Sequence, residues 1–77
     1  MLITTVIHLK SGILTQIEHF ENVEKGNDLF RKMVKNLDNT LSEQDIEDCL
    51  DYGHFENMSG DEIIITSDNK VNNFVKL

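Results

Sequence analysis

The chain has 77 residues, of which 14 are acidic and 7 are lysine or arginine, so its formal net charge is −7. This balance argues against direct binding to nucleic-acid phosphates over most of the surface. Cys49 is the only cysteine, which excludes a disulfide within one chain. With 39% hydrophobic and 27% charged residues, the composition is typical of a globular protein, and we expect residues 1–77 to form one domain.

The amino-terminal segment carries no targeting pattern. Residues 1–9 are apolar but few, lack a basic region and include Thr4, Thr5 and His8. No run in the chain approaches the length of a membrane span. We therefore expect a cytoplasmic protein that does not associate with a membrane.

The first two predicted elements are strands over residues 2–9 and 13–20, joined as a hairpin through Lys10-Ser11-Gly12. A three-residue loop with Gly12 in its left-handed position pairs Leu9 with Ile13. One face then holds Ile3, Thr5, Ile7, Leu9, Ile13, Thr15 and Ile17, while the other keeps the apolar exceptions Val6, Leu14 and Phe20. A two-residue turn at Ser11-Gly12 would mix the two faces, so the three-residue loop is the predicted register.

A first helix is predicted over Val23–Leu37, with Asn22 as its N-cap. Apolar side chains at helical spacing form its buried stripe. Gly26 weakens the first turn, unless it marks a close approach of the helix to the sheet. The outer face of this helix holds Asp28 and the basic residues Arg31, Lys32 and Lys35.

A second, shorter helix is predicted over residues 43–51. Ser42 caps it, Asp45 is placed to complete a capping box, and Gly53 ends it. Its buried stripe consists of Ile46, Cys49 and Leu50. Acidic residues spread over the opposite arc, so the two helices present outer faces of opposite charge.

After a polar loop over residues 54–60, the β-branched residues at 62–66 predict a central strand. The residues that follow, 68–77, form either an edge strand or a loose tail. We therefore predict an α+β fold: a small three- to four-stranded antiparallel sheet with two helices packed on one face, in the order ββααβ(β).

The most unusual feature is the segment between Lys35 and Lys70, which holds ten acidic residues and no lysine or arginine. Like charges repel, so such a run persists most easily where solvent, a basic partner or a cation relieves the repulsion. One interpretation is a solvated face. The other is a surface for a basic protein, including a nucleic-acid-binding protein whose phosphate-binding groove the carboxylates would block. The candidate partner-binding residues are Glu43, Glu47, Asp48, Asp51, Tyr52, Phe55 and Glu56.

Tyr52 and Phe55 flank the acidic helix, and their rings either fold back over the small core or anchor a partner. In size and charge, the chain resembles anti-CRISPR and anti-restriction proteins, which are phage and mobile-element inhibitors of host nucleic-acid enzymes. This resemblance involves no motif, and it implies a non-catalytic inhibitor that binds a protein.

Two alternatives stay open. The first is a structural homo-oligomer, such as a homodimer, in which the basic helix of one copy meets the acidic helix of another. The second is a weak divalent-cation binder. Residues 38–43 place oxygen side chains at alternate positions, as an EF-hand loop does, but Glu43 stands where that loop needs glycine and Cys49 where it needs glutamate.

No catalytic motif is present, and we predict neither enzyme activity nor a cofactor. The chain lacks a glycine-rich phosphate loop, a nucleophile elbow and a helical HExxH sequence. The soft metal ligands are Cys49 and three histidines, His8, His19 and His54. Because the predicted hairpin separates His8 from His19 and the helix turns Cys49 inward, no metal site is predicted.

Overall fold

The computed structural model describes residues 2–68. Its elements follow the order β1 (Ile3–Lys10), β2 (Ile13–Phe20), α1 (Val23–Leu37), α2 (Glu43–Tyr52), β3 (His54–Glu56) and β4 (Asp61–Asp68). All strand pairs are antiparallel. Both predicted helices are present, so the predicted α+β class is confirmed. Of the segment 68–77, predicted as an edge strand or a tail, Asp68 is the last residue of β4 and residues 69–77 lie outside the described residues.

The four strands lie in the order β2-β1-β4-β3, so β1 and β4 are the central pair. The predicted central strand is confirmed and runs longer than expected, through Asp61–Asp68. Its second neighbour is the short strand β3, which occupies part of the segment predicted to be a polar loop. Phe55 of β3 lies opposite Ile63 of β4, and this pairing turns one apolar side chain of an otherwise polar stretch into the core.

The hairpin is present, but its predicted register is wrong. Lys10 pairs with Ile13 across a two-residue turn, in which Ser11 (φ 52°) and Gly12 (φ 80°) are both left-handed. A left-handed conformation costs a serine roughly 1–2 kcal/mol. The backbone N–H of Ser11 donates to the carbonyl of Gly60 at 2.8 Å, a contact from a distant part of the chain that helps to hold this turn.

A β-bulge follows the turn and restores the sorting of the faces. Leu9 pairs with Leu14 but His8 pairs with Gln16, so Thr15 is the extra residue on β2. Beyond the bulge, Ile17 lies opposite Ile7. The two-residue turn therefore keeps Ile17 on the same face as the branched side chains of β1, as the three-residue loop would have done. It differs from the prediction in placing Leu14, and not Ile13, on that face.

The helices cover the face that carries Val6 and Phe20, not the face that carries the branched side chains. Val6, predicted as an apolar exception, is 1% exposed in the core, and Phe20 packs against that core. The core consists of Val6, Phe30, Val34, Ile46, Phe55 and Ile63. We call the other side the open face of the sheet; by strand pairing it holds Ile3, Thr5, Ile7, Leu9, Leu14, Ile17, His19, His54, Glu56, Glu62, Ile64 and Thr66.

Both helices begin where their capping residues predict. The Asn22 side chain accepts hydrogen bonds from two backbone N–H groups of α1, and Ser42 with Asp45 forms a complete capping box on α2. Gly26 is buried, and a Cβ built on it would lie 2.5 Å from Thr4 Cγ2, so the helix does approach the sheet closely there. Within the part of the chain that the structure describes, neither helix has the length and apolar character needed to cross a membrane.

Candidate functional site: the acidic face of helix α2

Helix α2 is positioned by its caps and by one narrow apolar stripe. Ile46 is buried, while Cys49 and Leu50 pack against the core from the edge of the helix. Gly53 ends the helix in a left-handed conformation, with its N–H directed to the carbonyls of the last turn. Burial raises the pKa of the Cys49 thiol, so this cysteine stays protonated as part of the core.

The outward side of α2 carries the candidate site. Asp48 and Asp51 are exposed and line an open groove of about 430 Å³ together with Tyr52, which is 87% exposed. Within residues 2–68, neither aspartate forms a salt bridge, and Asp48 accepts only a side-chain hydrogen bond from Gln44 at 3.0 Å. We call Asp48, Asp51 and Tyr52 the acidic arc.

Local electrostatics do not explain the acidic arc. Acidic side chains near the carboxyl end of a helix oppose the helix dipole, and α2 has no basic residue in its last turn. Glu43 and Asp45, by contrast, lie in the first turn, where negative charge is favourable, and Asp45 also accepts a hydrogen bond from the Ser42 backbone. Only the acidic arc thus places negative charge where it makes the helix less stable.

Glu47, another predicted partner-binding residue, is already engaged by α1. Its two carboxylate oxygens accept from Arg31, with Nε to Oε2 at 2.7 Å and Nη2 to Oε1 at 3.1 Å. The hydrogen bonds from Arg31 lower the pKa of Glu47, and Arg31 also pairs with Asp28 at 2.9 Å. Charges of opposite sign on the two helices therefore meet within one chain at this point.

The two helices also border a groove of about 410 Å³. Basic side chains of α1 line one wall and acidic side chains of α2 line the other; the lining residues are Arg31, Lys32, Lys35, Glu43, Ile46 and Glu47. Glu43 lines this groove of mixed charge and does not belong to the acidic arc, whose groove has no basic residue among the described residues that line it.

The remaining two predicted partner-binding residues do not join the arc. Phe55 is 6% exposed and fills the core, so its ring is not available to a partner, because the short strand β3 turns it inward. Glu56 follows it on β3 and points to the open face, away from the helices. There it lies beside His54 and Glu62.

Asp61 has a role that its sequence position did not reveal. The residue is 5% exposed. Its carboxylate accepts from Lys10 Nζ at 3.1 Å and from Asn57 Nδ2 at 3.2 Å, and lies 3.0 Å from His8 Nε2. The hydrogen bonds from His8, Lys10 and Asn57 lower its pKa to about 2. Asp61 is the first residue of β4, and the charge that it binds, Lys10, lies 51 positions earlier in the chain.

The oxygen-rich segment at residues 38–43 is used for local structure. Asp38 Oδ1 accepts from both the backbone N–H and the hydroxyl of Thr40, and these hydrogen bonds lower the pKa of Asp38. Ser42 is occupied by the capping box of α2. The side chains that resemble the start of an EF-hand loop thus form a turn and a helix cap.

Comparison with protein-family models, curated proteins and solved structures found no significant match. The arrangement of side chains is therefore the basis for a functional proposal.

Proposed function

We propose that this protein is a non-catalytic binding module that docks the acidic arc of α2 on a basic surface of another protein. The observation that carries the proposal is the exposure of Asp48 and Asp51 beside an 87% exposed tyrosine, without a salt-bridge partner in residues 2–68. The unpaired carboxylates and the exposed ring both make the isolated protein less stable. A partner that supplies positive charge and covers the ring would remove this destabilisation.

The chemistry of the arc favours a partner rich in arginine or lysine. A carboxylate pair accepts hydrogen bonds from a guanidinium group, and an adjacent aromatic ring offers a face on which the same group can stack. Nucleic-acid-binding proteins display such side chains in the grooves that hold phosphates. The proposed consequence is inhibition, because carboxylates that occupy these cations block the nucleic acid, as the resemblance to anti-CRISPR and anti-restriction proteins implies.

The test compares two charge reversals of equal size. Asp48→Lys with Asp51→Lys alters the arc, whereas Glu18→Lys with Glu21→Lys makes the same change in net charge on exposed residues away from α2. Tagged proteins are used to capture partners from cells that naturally contain the protein, and the captured proteins are quantified. We expect capture to be lost for the first variant and kept for the second, with circular dichroism spectra unchanged.

Duplex DNA and structured RNA added as competitors test the inhibitory part of the proposal. A partner that is released by either competitor binds the arc through its nucleic-acid groove. Equal capture by both charge-reversed variants would refute the docking role of the arc. If capture depends on the arc but neither competitor releases the partner, the protein is a binding module and the inhibitory part of the proposal is wrong.

A homo-oligomer is the second candidate, favoured by the exposed apolar side chains of the open face. Leu14 is 55% exposed and Ile17 is 41% exposed, and both lie on β2, an edge strand whose residues are nearly all exposed. An uncovered edge strand of this length is prone to pair with another strand. A homo-oligomer held together by opposite helix charges is less favoured, because Arg31 and Glu47 already form a salt bridge within the chain.

Sedimentation velocity distinguishes the two modes of self-association. A dimer through the open face should persist in high salt and be abolished by Ile17→Lys, with Thr15→Lys on the same strand as the control. A dimer through the helices should dissociate in high salt. A monomer at all concentrations and salt levels would eliminate both.

A further inference from the structure

The open face carries a cluster of metal-ligating side chains where β3 and β4 meet. His54 and Glu56 are two residues apart on β3, so both side chains point to the same face, and Glu56 lies directly opposite Glu62 on β4. One ligand atom from each of the three residues lies within 4.8 Å of the other two. His54 Nε2 is 2.8 Å from Glu62 Oε2.

Two carboxylates directly opposite each other on neighbouring strands repel, and such pairs destabilise a sheet. Among the described residues, no lysine or arginine forms a salt bridge with Glu56 or Glu62, and the histidine contacts only the second of them. A cation bound between the three side chains would neutralise both carboxylates at once. Repulsion between the two carboxylates therefore favours cation binding, in addition to the presence of suitable ligand atoms.

The chemistry of the ligands selects the class of cation. An imidazole nitrogen with two carboxylates suits a borderline divalent metal such as zinc, whereas calcium prefers six or more oxygen ligands. In a tetrahedral zinc site the ligand atoms are about 3.3 Å apart, given metal–ligand distances of about 2.0–2.1 Å. The exposed side chain of Glu56 can cover the difference from 4.8 Å by a change of rotamer.

The surroundings add rigidity and shield the cluster on one side. By register, Ile64 lies opposite His54 on the open face, and Leu9 of β1 lies opposite Glu62. Both apolar side chains are half-buried, so they limit the solvent that competes for the ligands. All three ligands stand on hydrogen-bonded strands, where the backbone holds them in place.

We propose that His54 Nε2 and one carboxylate oxygen each from Glu56 and Glu62 form a site for a zinc-class divalent metal ion. The fourth coordination position is left to water or to a group from another molecule. The site is distinct from the acidic arc, because it lies on the opposite face of the sheet from α2.

The test is titration of the protein, prepared without a polyhistidine tag, with zinc chloride in a calorimeter. We expect saturable binding of one ion per chain. Affinity should fall at least tenfold in His54→Gln and in Glu56→Gln. The matched control is His19→Gln, which removes another exposed histidine from the same open face, on β2, and should bind zinc like the unaltered protein.

Imidazole nitrogen NMR spectra supply a readout that a purely structural role would not change. Zinc should shift the Nε2 resonance of His54 and leave His19 unmoved. Absence of binding at millimolar zinc would overturn the proposal, as would equal affinity in the His54→Gln and unaltered proteins. A loss shared equally by His19→Gln would also overturn it. A substitution of the half-buried Glu62 could disturb folding, so the test uses Glu56→Gln, which alters an exposed ligand.

Discussion

Arg31 of helix α1 holds Glu47 of helix α2 through two hydrogen bonds, at 2.7 Å and 3.1 Å, in the parallel geometry that a guanidinium group forms with a carboxylate. Among the described residues, this contact is the one salt bridge that joins α1 to α2. It also removes Glu47 from the set of charges available to a partner. The acidic surface is consequently smaller than the run of ten carboxylates indicates.

A double-mutant cycle measures the coupling between these two residues. Arg31→Gln and Glu47→Gln should each lower Tm modestly, by less than about 5 °C, because the pair is partly exposed to solvent. The double variant should lose little more than either single variant. The difference should shrink in 1 M NaCl, where the pair is screened. Additive losses in the double variant would show that the two side chains act independently.

Asp61 should dominate the loss of stability in acid. Its pKa is about 2 in the folded protein against an ordinary value of 3.8, so its contribution to the free energy of unfolding is complete above about pH 5 and is lost as the pH falls through 3.8 toward and below 2. Urea unfolding at pH 7, 4 and 2.5 should therefore show Asp61→Asn to be less stable at pH 7, with most of the difference from the unaltered protein lost at pH 2.5. Glu21→Gln, which changes an exposed carboxyl group, is the control. A difference that persists unchanged at pH 2.5 would contradict this role.

Gly26→Ala should destabilise the protein although alanine favours helices. The propensity gain is about 1 kcal/mol, but the new Cβ would lie 2.5 Å from Thr4 Cγ2, and overpacking of this kind costs about 1–3 kcal/mol. Thr4→Ser removes that methyl group and keeps the hydroxyl, which is bonded to Ser67 at 2.8 Å. In the Thr4→Ser background, we expect Gly26→Ala to be neutral or stabilising. The same loss in both backgrounds, measured by urea unfolding, would rule out the contact with Thr4 as the cause.

A pair of alanine substitutions tests which face of the sheet the helices cover. Val6 is 1% exposed and Ile17 is 41% exposed, so Val6→Ala should cost about 2 kcal/mol and Ile17→Ala less than about 1 kcal/mol. Helices packed on the branched face would reverse this ranking. Equilibrium unfolding of the two variants decides between the two faces.

Elements defined by local chemistry were predictable. Asn22 and the Ser42–Asp45 pair mark helix starts through hydrogen bonds within one turn, and Gly53 marks an end, so both helices followed from neighbouring residues. The hairpin register was not predictable by the same means. It depends on Ser11 adopting a left-handed conformation that Gly60, far along the chain, helps to hold, and on a bulge at Thr15 that a strict alternation of faces does not anticipate.

The candidate site was predictable only in part, for a related reason. Charge and helical spacing identified Asp48 and Asp51, because these residues need nothing beyond α2 to be exposed. Burial of Phe55 depends on its pairing opposite Ile63, across a strand of three residues with little sequence pattern. The cluster of His54, Glu56 and Glu62 depends on the same pairing, since it brings the two glutamates face to face.

The order of the strands has a consequence for how the protein folds. The central strands β1 and β4 are joined by contacts such as that between Lys10 and Asp61, which are 51 positions apart, whereas the hairpin and both helices use close neighbours. Local contacts form early and distant ones late, because closing a long loop costs entropy first. We expect the hairpin and helices to form before β4 inserts between β1 and β3. Until that step, one edge of β1 stays unpaired, and this is the stage at which two folding chains are most prone to join each other.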